Sequence, residues 1–163
     1  MNAQLSASST GQHDFDFLFG HWQVRNERLR RRLADCRDWD RFDAQVECRP
    51  ILGGAGNREH FDSDWQGGYH GMALRLFDRD TGQWRIWWAS DRSAQLEAPV
   101  IGRFEGEVGT FYGPDAHGEQ AVLSRYRWTR IDARNATWDQ AWSIDRGAHW
   151  ETNWVMHFRR VGD

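Results

Sequence analysis

The sequence predicts a single all-β domain that closes into an antiparallel up-and-down barrel of about ten strands. From residue 22 onward, apolar and polar residues alternate with period two in short segments separated by Gly, Asp, Asn and Pro. This alternation is typical of strands. The apolar residues are few but large, with 11 Trp and 9 Phe at a mean hydropathy of -0.84. A chain of 163 residues is long enough for one domain with a complete core.

The N-terminal residues divide into a polar lead-in and an aromatic plug. Residues 1–13 are small, polar and Gly-containing, and we expect them to be disordered. The barrel domain then spans residues 14–163. The segment DFDFLFG at 14–20 is too densely aromatic to alternate, so we expect a short helical turn that plugs the barrel. The lead-in lacks the basic start and apolar run of a signal peptide, which predicts a cytoplasmic location.

Ten segments predict strands, joined by turns rich in Gly, Asp and Pro. Residues 30–41 carry many charges and predict a helical turn or a hairpin tip. The clearest hairpin spans 69–90, because Gly82 in DRDTGQ can take the left-handed conformation of a tight turn. The predicted strands are 21–33, 42–51, 57–61, 69–77, 84–90, 100–107, 109–113, 119–131, 136–144 and 150–161.

Gly20-His21-Trp22 opens the first predicted strand, and Arg159 and Arg160 lie near the end of the last. This pair resembles the G-x-W and terminal Arg of the calycin superfamily, which includes lipocalins, fatty-acid-binding proteins, avidins and nitrobindins. The resemblance implies that an indole fills the closed end of the barrel while a guanidinium stacks on its face. By alternation we expect Arg160 to be the stacking residue, on one face with Trp150, Trp154, Met156 and Phe158.

A second motif, SIDRGAHW, resembles an Asp-box, in which the side chains of Ser143 and Asp145 hydrogen-bond a turn over a packed Trp150. Its role is expected to be structural. The order FDFLFGHW, DRDTGQWRIWW and SIDRGAHWETNW over residues 15–161 resembles an uncharacterised bacterial family of lipocalin-like barrels, catalogued as a domain of unknown function. That resemblance supports the fold and implies no established chemistry.

The inner surface of this barrel is expected to be aromatic with a few polar groups. If Trp22 points inward, alternation also places Val24, Arg28, Leu74 and Trp138 inside. We predict ligand contacts from Asn26, Met72, Trp88, Tyr126, Gln140, Trp142 and Trp154. Such a lining suits a planar or apolar ligand of modest size. In the alternative, the indoles fill the barrel solid. A one-residue change in the alternation at Pro50 or at the Gly bends would move every side chain of the affected strands to the opposite face of the barrel.

Catalytic and metal chemistry have weak candidates only. An inward Glu59 in an apolar cavity would have a raised pKa and could act as an acid or base, as could Tyr126, although an outward Glu59 is the simpler expectation. His60 and His70 lie on neighbouring strands, but no metal site is predicted. Nitrobindins hold haem through a His on a late strand, and His157 occupies a comparable position in this sequence. Alternation places His157 on the outer face, however. We therefore predict no cofactor and keep haem as an alternative.

The composition limits the partners. All 21 basic residues are Arg, the net charge is -3, and charges of both signs are mixed along the chain, which argues against nucleic acid. No segment is long and apolar enough to cross a membrane. Cys36 and Cys48 are expected to be free thiols. The sequence therefore predicts a small-molecule-binding barrel; the alternatives are a metal-independent isomerase or cyclase, a haem protein, and a homodimerising barrel without a ligand.

Overall fold

Ten antiparallel strands close into a barrel in the computed structural model, which describes residues 11–163. Each strand pairs with its neighbours in chain order, and β1 also pairs with β10, so the ring has no free edge. The predicted fold class is confirmed, and every predicted strand is present with ends shifted by a few residues. The strands are β1 Gly20–Leu29, β2 Trp39–Ile51, β3 Gly56–Ser63, β4 Tyr69–Asp78, β5 Gln83–Ser90, β6 Val100–Glu105, β7 Val108–His117, β8 Gln120–Arg130, β9 Asn135–Ser143 and β10 Glu151–Gly162.

The helical content within residues 11–163 is three short 3-10 turns, at Asp16–Leu18, Leu52–Gly54 and Trp65–Gly67. No helix in that range is long and apolar enough to cross a membrane. The charged segment before β2 forms the tip of the β1–β2 hairpin, which was one of the two expected alternatives.

The turn at Asp16–Leu18 plugs one end of the barrel, as the aromatic segment predicts. Phe15 and Leu18 are fully buried, and the Phe15 ring packs edge-on against Trp84 with centroids 5.0 Å apart. The Trp84 indole N–H donates to the Gly11 carbonyl at 2.9 Å. The expected disorder of the lead-in falls mostly on residues 1–10, outside the described residues, whereas residues 11–13 belong to a turn.

Arg160 is the residue that stacks on Trp22, as alternation predicts. Its guanidinium lies 4.3 Å from the centroid of the indole ring. The two residues face each other directly across the β1–β10 ladder. The resulting contact joins the first strand to the last at the plugged end of the barrel.

The face assignment of β4 was wrong by one residue. Met72 and Leu74 were expected inside, but they lie on the outer face, while Ala73 and Arg75 are buried inside. Two inner positions of β4, Gly71 and Ala73, are small where the Trp88 indole lies against this strand. A Cβ added at Gly71 would come within 2.2 Å of Trp88 Cζ2. A one-residue change of parity moves every side chain of a strand to the other face.

A second parity change occurs in β10, where the register shifts between Thr152 and Trp154. Asn153 and Trp154 are both buried there. Trp150, expected on the inner face with Trp154, instead lies outside. Its ring packs on the Arg125 guanidinium at 4.6 Å, because the bulge reverses the alternation before Trp154.

The Asp-box-like turn after β9 is hydrogen-bonded as its residues predict. Ser143 Oγ accepts a bond from the Gly147 N–H at 2.7 Å and donates to Asp145 Oδ1 at 2.8 Å. The same carboxylate oxygen accepts the His149 backbone N–H at 2.8 Å. The hydrogen bonds from His149 and then Ser143 hold the pKa of Asp145 well below its usual range. The turn thus has a structural role.

Candidate ligand-binding site in the barrel

A cavity lies inside the barrel between the plug and the opposite end, which we call the mouth. It holds a volume of about 30 Å³, room for two or three waters at about 10–15 Å³ each. Its surface is largely apolar. The lining residues come from six strands and are Glu59, Ala73, Arg75, Ile86, Trp88, Tyr126, Trp128, Trp138, Gln140, Trp154 and Met156.

Indole rings set edge to face form the wall of this cavity. The Trp154 ring lies 5.7 Å from Trp138 and 6.1 Å from Trp88, with interplanar angles of 87° and 88°. Its N–H donates to the buried Asn26 Oδ1 at 2.9 Å. Asn26 was predicted as a ligand contact, but it lies behind the wall and orients Trp154. The Trp154 ring is therefore fixed by packing and by a hydrogen bond before any ligand arrives.

A buried ion pair forms the polar floor of the cavity. Arg75 Nη2 lies 2.6 Å from Glu59 Oε2, and the two side chains are only 2% and 4% exposed. Arg75 Nη1 donates to Asn57 Oδ1 at 2.9 Å. The strand register explains this cluster, because Asn57 faces Arg75 across β3 and β4. The floor is polar but electrically neutral.

Two donors of the floor have no hydrogen-bond partner within residues 11–163. They are Arg75 Nε and the Trp128 indole N–H, both buried. The Arg75 guanidinium also lies 5.4 Å from the centroid of the Trp128 ring. A buried donor without an acceptor costs about 1–3 kcal/mol. An acceptor inside the cavity would therefore be stabilised by contact with the floor.

The floor and wall are better suited to binding than to base catalysis. Glu59 points inward, the less expected of its two orientations, but its carboxylate is engaged by Arg75 and is not isolated in apolar surroundings. Burial raises the pKa of the Tyr126 phenol, so this hydroxyl keeps its proton and can only donate or accept hydrogen bonds. The Glu59 carboxylate is occupied by Arg75, and the Tyr126 phenol does not act as a base.

Comparison with solved structures identifies the same fold in another protein. The crystal structure of Rv2717c from M. tuberculosis superposes with a TM-score of 0.57 at 13% identity, covering 89% of this chain and 93% of that one. No protein-family model matches the chain, and no curated protein matches its sequence. At this identity the likeness concerns the fold alone.

The mouth of the barrel is closed over by charged loops. The hairpin tip between β1 and β2 folds across it, and the Leu33 backbone N–H donates to Glu151 Oε1 at 2.7 Å. Arg32, in the same tip, lies 4.6 Å from the centroid of the Trp142 ring. Trp142 points inward as predicted, but it lies above the cavity, beneath Arg32, and is not part of its lining.

The histidines lie outside this site. His157 is on the outer face, where its Nε2 lies 3.5 Å from Glu27 Oε2, in agreement with the alternation argument. His70 Nδ1 lies 2.8 Å from Asp62 Oδ1, while His60 faces Met72. Among residues 11–163, no three His, Cys, Asp or Glu side chains are grouped to hold a metal ion.

Six of the residues expected on the inner face line the cavity. They are Trp88, Tyr126, Trp138, Gln140, Trp154 and Met156. Four lining residues were not predicted: Ala73, Arg75, Ile86 and Trp128. A signal for Arg75 was available, because an inward Glu59 needs a buried cation and Arg75 belongs to the neighbouring strand.

Proposed function

We propose that this chain is a calycin-like barrel that binds a small, planar, largely apolar molecule in its interior. The observation that carries the proposal is an internal space walled by four indoles, whose floor holds two buried donors without partners. Indoles supply rigid apolar contact area, and the donors would orient a ligand that carries an acceptor.

The size of the cavity limits the ligand. Sites for drug-sized molecules measure about 300–1,000 Å³, whereas the closed cavity here is about 30 Å³. A ring therefore enters only when side chains on the mouth side turn away. Trp88 and Tyr126 are the partly exposed aromatic residues of the lining, so these are the side chains that would turn to open the cavity.

The other functions predicted from the sequence have less support. An isomerase or cyclase would need Glu59 free of Arg75. Haem bound inside the barrel would need a His other than the outward-facing His157. Within residues 11–163, the exposed large apolar residues lie on several different strands and turns. A homodimer and the cytoplasmic location stay predictions from the sequence.

A neutral fluorescent probe tests the proposal. N-phenyl-1-naphthylamine should bind with saturable enhancement of its emission and with energy transfer from the indoles. Ala73→Leu, which fills the cavity, should weaken binding at least tenfold. The control Ala89→Leu makes the same change on the outer face of β5 and should stay within twofold of the original chain.

Two results would contradict the proposal: the absence of saturable binding by the original chain, or equal binding by Ala73→Leu. Near-ultraviolet circular dichroism establishes that each variant keeps its packed core. Native mass spectrometry of protein purified from its own host would then give the mass of any retained compound.

A further inference from the structure

The mouth of the barrel collects buried donors that have no partner. Five such atoms belong to residues at this end of the strands or in the loops above it. Each can donate a hydrogen bond, and none has an acceptor within residues 11–163. They are Arg28 Nε, Arg32 Nη2, Ser93 Oγ, Trp142 Nε1 and Asn153 Nδ2.

Aromatic rings hold the two arginines of this set in place. The Arg28 guanidinium lies 4.7 Å from the centroid of the Trp154 ring and 4.8 Å from that of Trp65. Arg32 is held in the same way over Trp142. Trp154 is also part of the cavity wall, so a group bound by Arg28 adjoins the cavity directly.

The charge at the mouth is not balanced by ion pairs. In the described part of the chain, neither Arg28 nor Arg32 pairs with a carboxylate. Burial, and then the charge of Arg28, lower the pKa of Arg32 to about 10. The carboxyl charges of Glu97 and Asp40 act on Arg28, and that of Asp115 acts on Arg32. Burial raises the pKa of Glu97, so this carboxyl is itself poorly solvated.

A third guanidinium faces the same space. Arg92 lies 5.5 Å from the centroid of the Tyr69 ring, and it donates to Gln66 Oε1 and to the Gly68 carbonyl. At the mouth Arg28, Arg32 and Arg92 lie among the carboxyl groups of Glu97, Asp115, Asp40 and Glu151, yet within residues 11–163 neither Arg28 nor Arg32 makes an ion pair with any of them. Largely buried cations that make no ion pair are unfavourable, and a bound anion would supply a partner for both.

We propose that Arg28 and Arg32 bind the acid group of an organic anion, whose ring or short chain enters the aromatic cavity below. This inference rests on the proposed function and narrows it to aromatic or apolar carboxylates and sulfonates. Planar guanidiniums match the two oxygens of such groups. The remaining donors at the mouth complete the coordination of the acid group.

Two probes with one skeleton separate the acid group from the ring. 8-Anilinonaphthalene-1-sulfonate carries a sulfonate that N-phenyl-1-naphthylamine lacks. Arg28→Met and Arg32→Met should each weaken binding of the sulfonate at least tenfold, whereas binding of the neutral probe should change less than twofold. Arg37→Met removes an exposed charge from the same hairpin tip and should change neither.

The outcomes distinguish this inference from the proposed function. Equal weakening of both probes, or unchanged sulfonate binding, overturns the role of the two arginines and leaves the binding function intact. If neither probe binds the original chain, the proposed function fails and the inference with it.

A competition experiment on the original chain needs no variant to fold. 1-Naphthoate should displace the bound sulfonate probe at a concentration at least tenfold lower than 1-naphthamide, which has the same ring and no charge. Equal displacement by the two compounds overturns the inference.

Discussion

Arg160 and Trp22 form a single unit that binds the N-terminal plug. The guanidinium stacks on the indole at 4.3 Å and donates to the backbone carbonyls of Phe17 and Phe19. The indole N–H donates to the Leu18 carbonyl at 2.8 Å. The first and last strands therefore hold the same turn through adjacent side chains.

Replacing Arg160 should destabilise the barrel strongly. Arg160→Met removes hydrogen bonds from a charged donor, worth about 1.5–3 kcal/mol each, and leaves backbone carbonyls of the plug without donors. We expect the free energy of unfolding, measured by urea titration, to fall by about 3 kcal/mol. The control Arg159→Met removes one exposed contact with Gln23 and should lower it by less than about 1 kcal/mol. Equal losses would show that Arg160 has no special role.

The ion pair on the cavity floor should show strong coupling. Arg75→Met leaves Glu59 buried without a cation, which costs about 3–5 kcal/mol. The double variant Glu59→Gln/Arg75→Met should recover most of that loss, because no uncompensated charge remains. Urea titration of the single and double variants measures the coupling. The exposed pair Arg127–Asp139 is the control, with coupling below about 1 kcal/mol; additive losses at Glu59 and Arg75 would refute the prediction.

Adding a single methyl group at Gly71 should change the shape of the cavity, because it displaces the Trp88 ring from the cavity wall. A Cβ there collides with Cζ2 and Cη2 of Trp88, so Gly71→Ala must displace the indole. We expect a loss of about 1–3 kcal/mol in stability, as for other overpacked sites, together with altered binding of N-phenyl-1-naphthylamine. Adding Trp88→Phe, which lacks both colliding atoms, should restore stability. If the double variant is no more stable than Gly71→Ala, the loss of stability does not come from the collision with Trp88.

The two cysteines should differ in reactivity. Burial raises the pKa of the Cys48 thiol to about 12, while a backbone hydrogen bond with Asp38 lowers the pKa of Cys36. At pH 8 we expect 5,5′-dithiobis(2-nitrobenzoate) to modify one thiol per folded chain and the second only on unfolding. Cys36→Ser should abolish the fast reaction, and a fast reaction that survives in this variant would contradict the assignment.

The strands could be predicted from the sequence because alternation and turn residues are local signals. The inner and outer faces of β4 could not be predicted in this way, because the more apolar residues, Met72 and Leu74, lie on the outer face. Gly71 and Ala73 lie inside because the Trp88 ring needs their space, and that requirement comes from a neighbouring strand. Size complementarity between strands is invisible to hydropathy along one strand.

The site was predictable in its aromatic part and less so in its polar part. Trp88 and Trp138 follow from parity on strands that pair regularly near them, and Trp154 follows from its parity with Met156 and Phe158 on the regular part of β10. Arg75 depends on Glu59 of another strand, and the outward position of Trp150 depends on a bulge. A β-bulge reverses which face the side chains on one side of it occupy. The alternation of apolar and polar residues does not reveal where in a strand a bulge occurs.

The plug is synthesised well before Arg160, the residue that binds it. Phe19 and Arg160 are 141 positions apart, so at about 5–20 residues per second the ribosome needs roughly 7–28 s to supply the partner of the plug. During that interval the aromatic segment has no final strand to bind, and the growing sheet keeps an open edge at β1. The nascent chain is thus available to chaperones until the last strand emerges, and closure of the ring is a late event in folding.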